Sequence, residues 1–262
     1  MKPFQWIALC LVSLICSFWL GSCSSPPPQA IALNLDAASL TRRAVEELNE
    51  LYQQEHPHIV LYSVFASSDV VRDAIEQGDP FDGVLFADAP PLDRLQAKGL
   101  TLPESRQELA TTDLVVIAPV SSSVQLSDIR ELASDRIKTV AIGNRGLAVG
   151  RYAWDLLARL GIEETVESKA VLATAKVPEI LRAIERGEAE VGITYLPEAL
   201  NSPNVKVLAT APKDLYETIR VGAAIVKTST HPREMQTYLD FLSSDRALKI
   251  FQQFGFHPPN RR

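Results

Sequence analysis

From Ile31 onward, short apolar runs alternate with stretches of helical periodicity, and this alternation restricts the fold more than any other feature of the chain. Strands are predicted at 31–35, 58–64, 83–86, 113–118, 139–142, 170–173, 191–195, 205–209 and 220–226. Between the first two, Leu40, Ala44, Val45, Leu48 and Leu51 recur at the spacing of one helical face. Further helices are predicted through Val70–Ile75 (stopped at Gly78), Leu92–Ala97 (stopped at Gly99), 149–160 (ended by Gly161), 177–185, 231–242 and 245–254. The run Asp113–Ala118 reads DLVVIA, continuously apolar after its first residue, as expected of a strand covered on both faces. Strands and helices alternating in this way predict an α/β fold in which helices cover mostly parallel sheets.

Composition narrows the function. The 262 residues are 46% hydrophobic and 22% charged, which excludes a disordered or collagen-like chain and a multi-span membrane protein. The length accommodates two lobes, each large enough for its own core. A formal net charge of −6 argues against a nucleic-acid partner, which calls for a basic face.

The first segment reads as an address. Lys2 precedes an apolar run from Phe4 to Leu20, the pattern of a secretory signal. The run ends Leu20-Gly21-Ser22-Cys23, which resembles the lipobox of bacterial lipoproteins, in which the Cys becomes the lipidated first residue. Residues 1–22 are therefore assigned as a lipoprotein signal peptide and 23–29 as a proline-rich tether. All three cysteines (Cys10, Cys16 and Cys23) lie here, so the mature chain would keep one thiol, with no internal disulfide and no Cys-based metal site. The expected location is extracytoplasmic, periplasm or cell surface, with membrane attachment through the lipid on Cys23 alone.

Motifs for catalysis are absent: no Gly-x-Ser-x-Gly elbow, no Ser-x-x-Lys, no P-loop and no His-Glu-x-x-His. The His56-Pro57-His58 pair reads as a solvated turn rather than a metal site. What stands out is a set of small or hydroxyl residues where strands lead into helices: 37–40 (AASL), 65–68 (FASS) and 143–150 (GNRGLAVG). Helix N-termini expose unpaired N–H groups and partial positive charge, so several of them facing one cleft would bind a small anion. Singly, each Ser reads equally as a helix cap and Tyr195 as a core residue. Periodicity does not show whether the openings converge.

The ordered set AASLT (37–41), HPHIVLYSVFASS (56–68), IEQGDPFDGVLFAD (75–88), LVVIAP (114–119), AIGN…GRYA (141–153), IERGEAEVGITY (184–195) and FQQFGF (251–256) resembles the molybdate-binding proteins of bacterial ABC transporters. These are class II periplasmic-type substrate-binding proteins, and the match spans about residues 30–258. The resemblance implies a two-lobed fold with the ligand cleft between lobes. Lobe one would comprise 30–115 with 222–258, and lobe two 116–221, joined by crossing strands near 114–119 and 220–226. It implies a monomeric, non-catalytic protein without cofactor, whose ligand is molybdate or tungstate and whose partners are a membrane permease and its ATPase. The family's ligand contacts fall on the hydroxyls of Ser39 and Ser68, the backbone N–H groups of Val149 and Val177, and the phenol of Tyr195. Any metal would be present only as the oxyanion, through those five residues.

Such contacts are neutral hydrogen-bond donors, suited to a tetrahedral dianion and unable to accept a proton from a protonated one. Several positions depart from the family pattern. Asp36 and Asp69 add acids beside the serines, with Lys176 and Arg42 as candidate compensating cations. Ala148-Val149 replaces Pro-Ala in a loop one residue shorter. Segment 213–216 (KDLY) lacks the usual Ser-His pair. The residues leave open another small oxyanion such as sulfate, or a receptor or enzyme on the same scaffold. One expectation is independent of the ligand: Cys23→Ser should move the protein from membranes to the soluble extracytoplasmic fraction, because the lipid is the only assigned anchor. Fractionation of cells expressing either form checks it; a wild type already soluble would refute the lipobox assignment.

Overall fold

In the computed structural model, which describes residues 30–259, the apolar runs pair into two separate five-stranded sheets. The signal segment, Cys23 and the tether lie outside the described residues. The first sheet holds β1 (Ile31–Ala38), β2 (Ile59–Ala66), β3 (Gly83–Phe86), β4 (Gln107–Thr112) and the last strand, β10 (Ile219–Ile225), in the order β2-β1-β3-β10-β4. The second holds β5 (Leu114–Pro119), β6 (Val140–Gly143), β7 (Ala170–Ala175), β8 (Val191–Tyr195) and β9 (Val205–Thr210), in the order β7-β6-β8-β5-β9.

Helices α1 (Arg42–Glu55), α2 (Ser68–Glu76), α3 (Ala89–Ala97), α8 (Pro232–Leu242) and α9 (Asp245–Gln253) belong with the first sheet. Helices α4 (Ala148–Leu160), α5 (Glu163–Glu167), α6 (Val177–Glu185) and α7 (Leu196–Asn201) belong with the second. Strand alternation sorts the first core. Leu33, Leu35 and Ala37 project to one face and meet Val45, Leu48 and Tyr52 of α1 and Met235 and Tyr238 of α8. Val84 and Phe86 project to the other, against Val71, Ile75, Leu92 and Leu95. All of these are buried, and burial of each large apolar side chain contributes about 1.5–3 kcal/mol.

As expected, the sheets are mostly parallel: in each, four strands run the same way and one runs against them. β10 runs antiparallel to both β3 and β4, and β5 antiparallel to both β8 and β9. The reversed strand in each sheet is the one that arrives directly from the other sheet, β5 after β4 and β10 after β9, rather than through a helical crossover that would keep it parallel to its neighbours. Strand β4 (QELATT) is not among the predicted strands because its polar residues hide the apolar ones, although its last four residues are buried. Helices α5 and α7 are too short to show a period. His56 stacks on Tyr52 at 4.0 Å between ring centroids, so this side of the His56–His58 turn is half-buried rather than solvated.

Asp36 sits beside Val84 on the α2/α3 face of β1, not among the residues lining the cleft between the sheets. It is 3% exposed, and its Oδ1 has no hydrogen-bond partner among the described residues. Burial pushes its carboxyl up to about 6, opposed by the Ala37 backbone N–H and reinforced by Asp79. A folded-state pKa above the unfolded value of 3.8 means that protonation favours the fold, so this group's penalty grows as pH rises from about 4 through 6. Asp36→Ala is therefore expected to stabilise the protein at pH 7.5 by about 1–3 kcal/mol, with the gain vanishing below about pH 4. Thermal unfolding of both forms across that range measures it; a lower midpoint for Asp36→Ala at pH 7.5 would contradict it.

Candidate functional site

Between the two sheets lies a cavity of about 340 Å³, lined from the first by Ala38–Leu40, Ala66–Val70 and Ala87 and from the second by Leu147–Val149, Lys176–Pro178, Tyr195 and Glu198. Ser39, Ser68, Val149, Val177 and Tyr195 all line this one cavity. Each arrives at the C-terminal end of a strand, where the chain turns into a helix. Ser39 opens a short 3-10 turn after β1, whose Thr41 hydroxyl donates to the Ala38 carbonyl at 2.7 Å. Ser68 is the first residue of α2, Val149 the second of α4, and Val177 the first of α6. Tyr195 ends β8.

The residues preceding α2, α4 and α6 are Ser67, Leu147 and Lys176, and none places a side-chain cap on its helix. The same is true of α1, α3, α5, α7 and α8, whereas α9 is capped by Ser244, whose hydroxyl accepts from the Ala247 N–H at 3.2 Å. Three helix N-termini thus turn N–H groups and positive dipole ends toward the same space, with Glu179 in the first turn of α6 accepting the Lys176 N–H at 2.8 Å. The Ser39 and Ser68 hydroxyls are not engaged by any other described residue, so both are available as donors.

Tyr195 is buried, and burial, with Tyr152 and Asp88 nearby, raises its phenol well above the ordinary value. It therefore remains protonated and able to donate throughout the physiological range. The start of α4 is held by close approach. A Cβ on Gly150 would stand 1.9 Å from the Asn144 carbonyl oxygen, and one on Gly143 2.8 Å from the Val149 side chain. Only glycine allows the 143–147 loop to lie against the helix start that carries the Val149 N–H. Trp154 Nε1 donates to the Gly143 carbonyl at 3.0 Å, and Arg145 covers the Trp154 ring at 4.0 Å.

Two acids line the cavity. Asp69 pairs with Arg72 of its own helix at 2.5 Å, a guanidinium it shares with Asp73 at 2.7 Å, rather than with Lys176 or Arg42. Glu198, in the first turn of α7, was not among the residues singled out from the sequence; its only signal is its place three residues after Tyr195. Burial raises its carboxyl, and Arg42 opposes the shift. The lining is thus donor-rich but not free of acceptors.

The sequence profile of the bacterial extracellular solute-binding proteins matches residues 33–257. The chain belongs to that family. Its relatives include the molybdate-binding protein ModA of Haemophilus influenzae, 31% identical over 225 residues (84% of this chain, 87% of that one). ModA of Escherichia coli is 33% identical over 229 residues (84% and 86%). The periplasmic molybdate-binding protein of Azotobacter vinelandii superposes with a TM-score of 0.74 at 22% identity, covering 87% of this chain and all of that one. Family membership and the two-sheet α/β architecture agree with the two-lobed binding-protein class, and these relatives are binding proteins rather than enzymes.

The position of Glu198 has a measurable consequence for any dianion in this cavity. A bound dianion would raise the Glu198 pKa further, so binding takes up a proton and affinity falls as pH rises through that pKa. Glu198→Gln should bind a tetrahedral dianion roughly fivefold tighter than wild type at pH 8, about 1 kcal/mol in a water-like dielectric. It should also flatten the pH dependence. Calorimetric titrations between pH 6 and 8.5 test this; parallel pH profiles for the two proteins would show that Glu198 does not face the ligand.

Proposed function

We propose that this protein captures a tetrahedral oxyanion dianion, molybdate with tungstate alongside, and delivers it to the permease and ATPase of an ABC transporter from a lipid anchor at Cys23. The observation carrying the reading is the convergence of Ser39, Ser68, Val149, Val177 and Tyr195 on one cavity under uncapped helix starts from both sheets. In this reading the Ser39, Ser68 and Tyr195 hydroxyls and the Val149 and Val177 N–H groups donate to the four oxygens of the anion. Kinship with the two ModA proteins supports molybdate as the ligand.

The energetics accommodate recognition by uncharged donors. A hydrogen bond to a charged acceptor contributes about 1.5–3 kcal/mol, so five such donors supply about 7–15 kcal/mol before ordering and desolvation costs. Submicromolar binding requires about 8–10 kcal/mol net. The helix ends add favourable partial charge without a salt bridge. Because the donors carry no net charge, release to a transporter needs only lobe opening, not the separation of a buried ion pair. Choice among dianions then rests on fit, set by the loop at 143–150.

Ser39→Ala and Ser68→Ala should each weaken molybdate binding by about 1.5–3 kcal/mol, roughly 10- to 150-fold, and Tyr195→Phe similarly. Ligand-free stability should change by under about 1 kcal/mol, since neither serine caps a helix. Competition titration of the wild type should show sulfate at least roughly 100-fold weaker than molybdate. Sulfate binding equal to molybdate, or no oxyanion binding at all, would overturn the assignment.

A further inference from the structure

Asp88 occupies the residue before α3, the position where an aspartate ordinarily caps a helix, yet its carboxylate makes no cap. It is spent instead across the cleft. Asp88 Oδ1 accepts from the Tyr152 hydroxyl at 2.9 Å, and Oδ2 accepts from Arg151 Nη2. Asp88 follows β3 of the first sheet, whereas Arg151 and Tyr152 belong to α4 of the second. Asp88 is 2% exposed and Tyr152 is buried, while the Arg151 side chain remains 42% exposed at the rim. Asp88 directly follows Ala87, a lining residue, and Tyr152 stands one turn beyond Val149 on the same helix.

We propose that Asp88, Arg151 and Tyr152 form an interlobe latch that makes only when the lobes are together and so couples ligand capture to closure. The proposal rests on the two-lobed binding function above, but its physical basis is separate from the ligand contacts. With the lobes apart, water satisfies the Asp88 carboxylate, the guanidinium and the phenol individually. With the lobes together, the carboxylate is taken out of water, and it stays charged at low cost only because a cation and a hydroxyl donate to it together. Removing either donor leaves a buried anion short of a partner in the closed form alone. That anion also lies close enough to Tyr195 to act on its titration, so an uncompensated Asp88 would oppose a dianion in the cavity. Arg151 cancels that charge. The same contact therefore sets how long the closed state lasts and keeps the cavity hospitable to anions. Tyr152 and Arg151 act as positioning residues in this scheme, since they touch Asp88 and not the ligand.

The test uses the purified protein, with Tyr152→Phe removing one hydroxyl from an otherwise retained ring, and Arg151→Gln changing a side chain that is 42% exposed at the rim. Stopped-flow release of molybdate should quicken roughly 10- to 100-fold in either variant, while the association rate changes less than about threefold. Ligand-free thermal midpoints should stay with the wild type, because the open form does not make the contact. Arg151→Lys should recover part of the slow release, which a purely structural role for the side chain would not produce. In a double-mutant cycle, Asp88→Asn with Tyr152→Phe should show coupling in the release rate and none in ligand-free stability. Small-angle scattering gives a readout without any ligand: the radius of gyration of ligand-free Tyr152→Phe should equal or exceed that of the wild type and never fall below it. Unchanged release rates in both variants, or coupling of equal size in release and in ligand-free stability, would overturn the latch. Wild-type calorimetry separately decides the ligand. If molybdate fails to bind, the same release measurements are made with whichever oxyanion does, and a latch still predicts faster loss from both variants.

Discussion

Two passages of chain between the sheets govern everything the cleft can do. One is Asp113, the single residue between β4 and β5; the other is the segment between β9 and β10. Asp113 ties them together. Its Oδ2 lies 2.7 Å from His257 Nε2, its Oδ1 3.2 Å from Lys213 Nζ, and its carbonyl accepts from the Leu196 N–H at 2.9 Å. His257 in turn pairs its backbone with Thr111 of β4, and Lys213 belongs to the second passage. A buried aspartate, its carboxylate met from two sides and its carbonyl from a third, holds both passages and the start of α7 in one register. Flexing is thereby confined to few backbone torsions, which is the geometry of a hinge.

On this frame the cleft is built from omissions as much as from contacts. Helices α2, α4 and α6 begin beside the cavity without a side-chain cap from the preceding residue, so their first N–H groups are not taken up by it. Gly143 and Gly150 allow the backbone approach that sets the α4 start in place, and the Trp154 indole braces it. Charge is handled by separation: Asp69 shares Arg72 of its own helix with Asp73, while Asp36 is buried on the far side of β1. Asp88 follows the same logic as the uncapped helices. Its carboxylate is withheld from α3 and directed across the cleft to α4. Local satisfaction is exchanged for contacts that exist only when both lobes take part.

Periodicity in the sequence determined the strand and helix alternation, because a two-residue or 3.6-residue spacing is a local consequence of which face is buried. Strand β3, helix α6 and strand β8 carry the same bounds in the structure as in that reading, each flanked by clear breaks in pattern. Strand-to-helix junctions at 37–40, 65–68 and 143–150 were visible as small and hydroxyl residues, whereas Ser39, Ser68, Val149, Val177 and Tyr195 as a set came from the family resemblance of the ordered motifs. Local pattern could not show that these junctions meet, because convergence depends on sheet order, and β10 enters the first sheet from the far end of the chain. For the same reason β4 was hidden, the antiparallel pairings were not foreseen, and Glu198 and the Asp88–Tyr152 contact went unnoticed. A carboxylate's partner 64 residues away leaves no trace in spacing. Whether Asp36, Asp69 and Asp88 would oppose an anion was likewise decided only by tertiary packing, which sets what each charge faces and how much water it keeps.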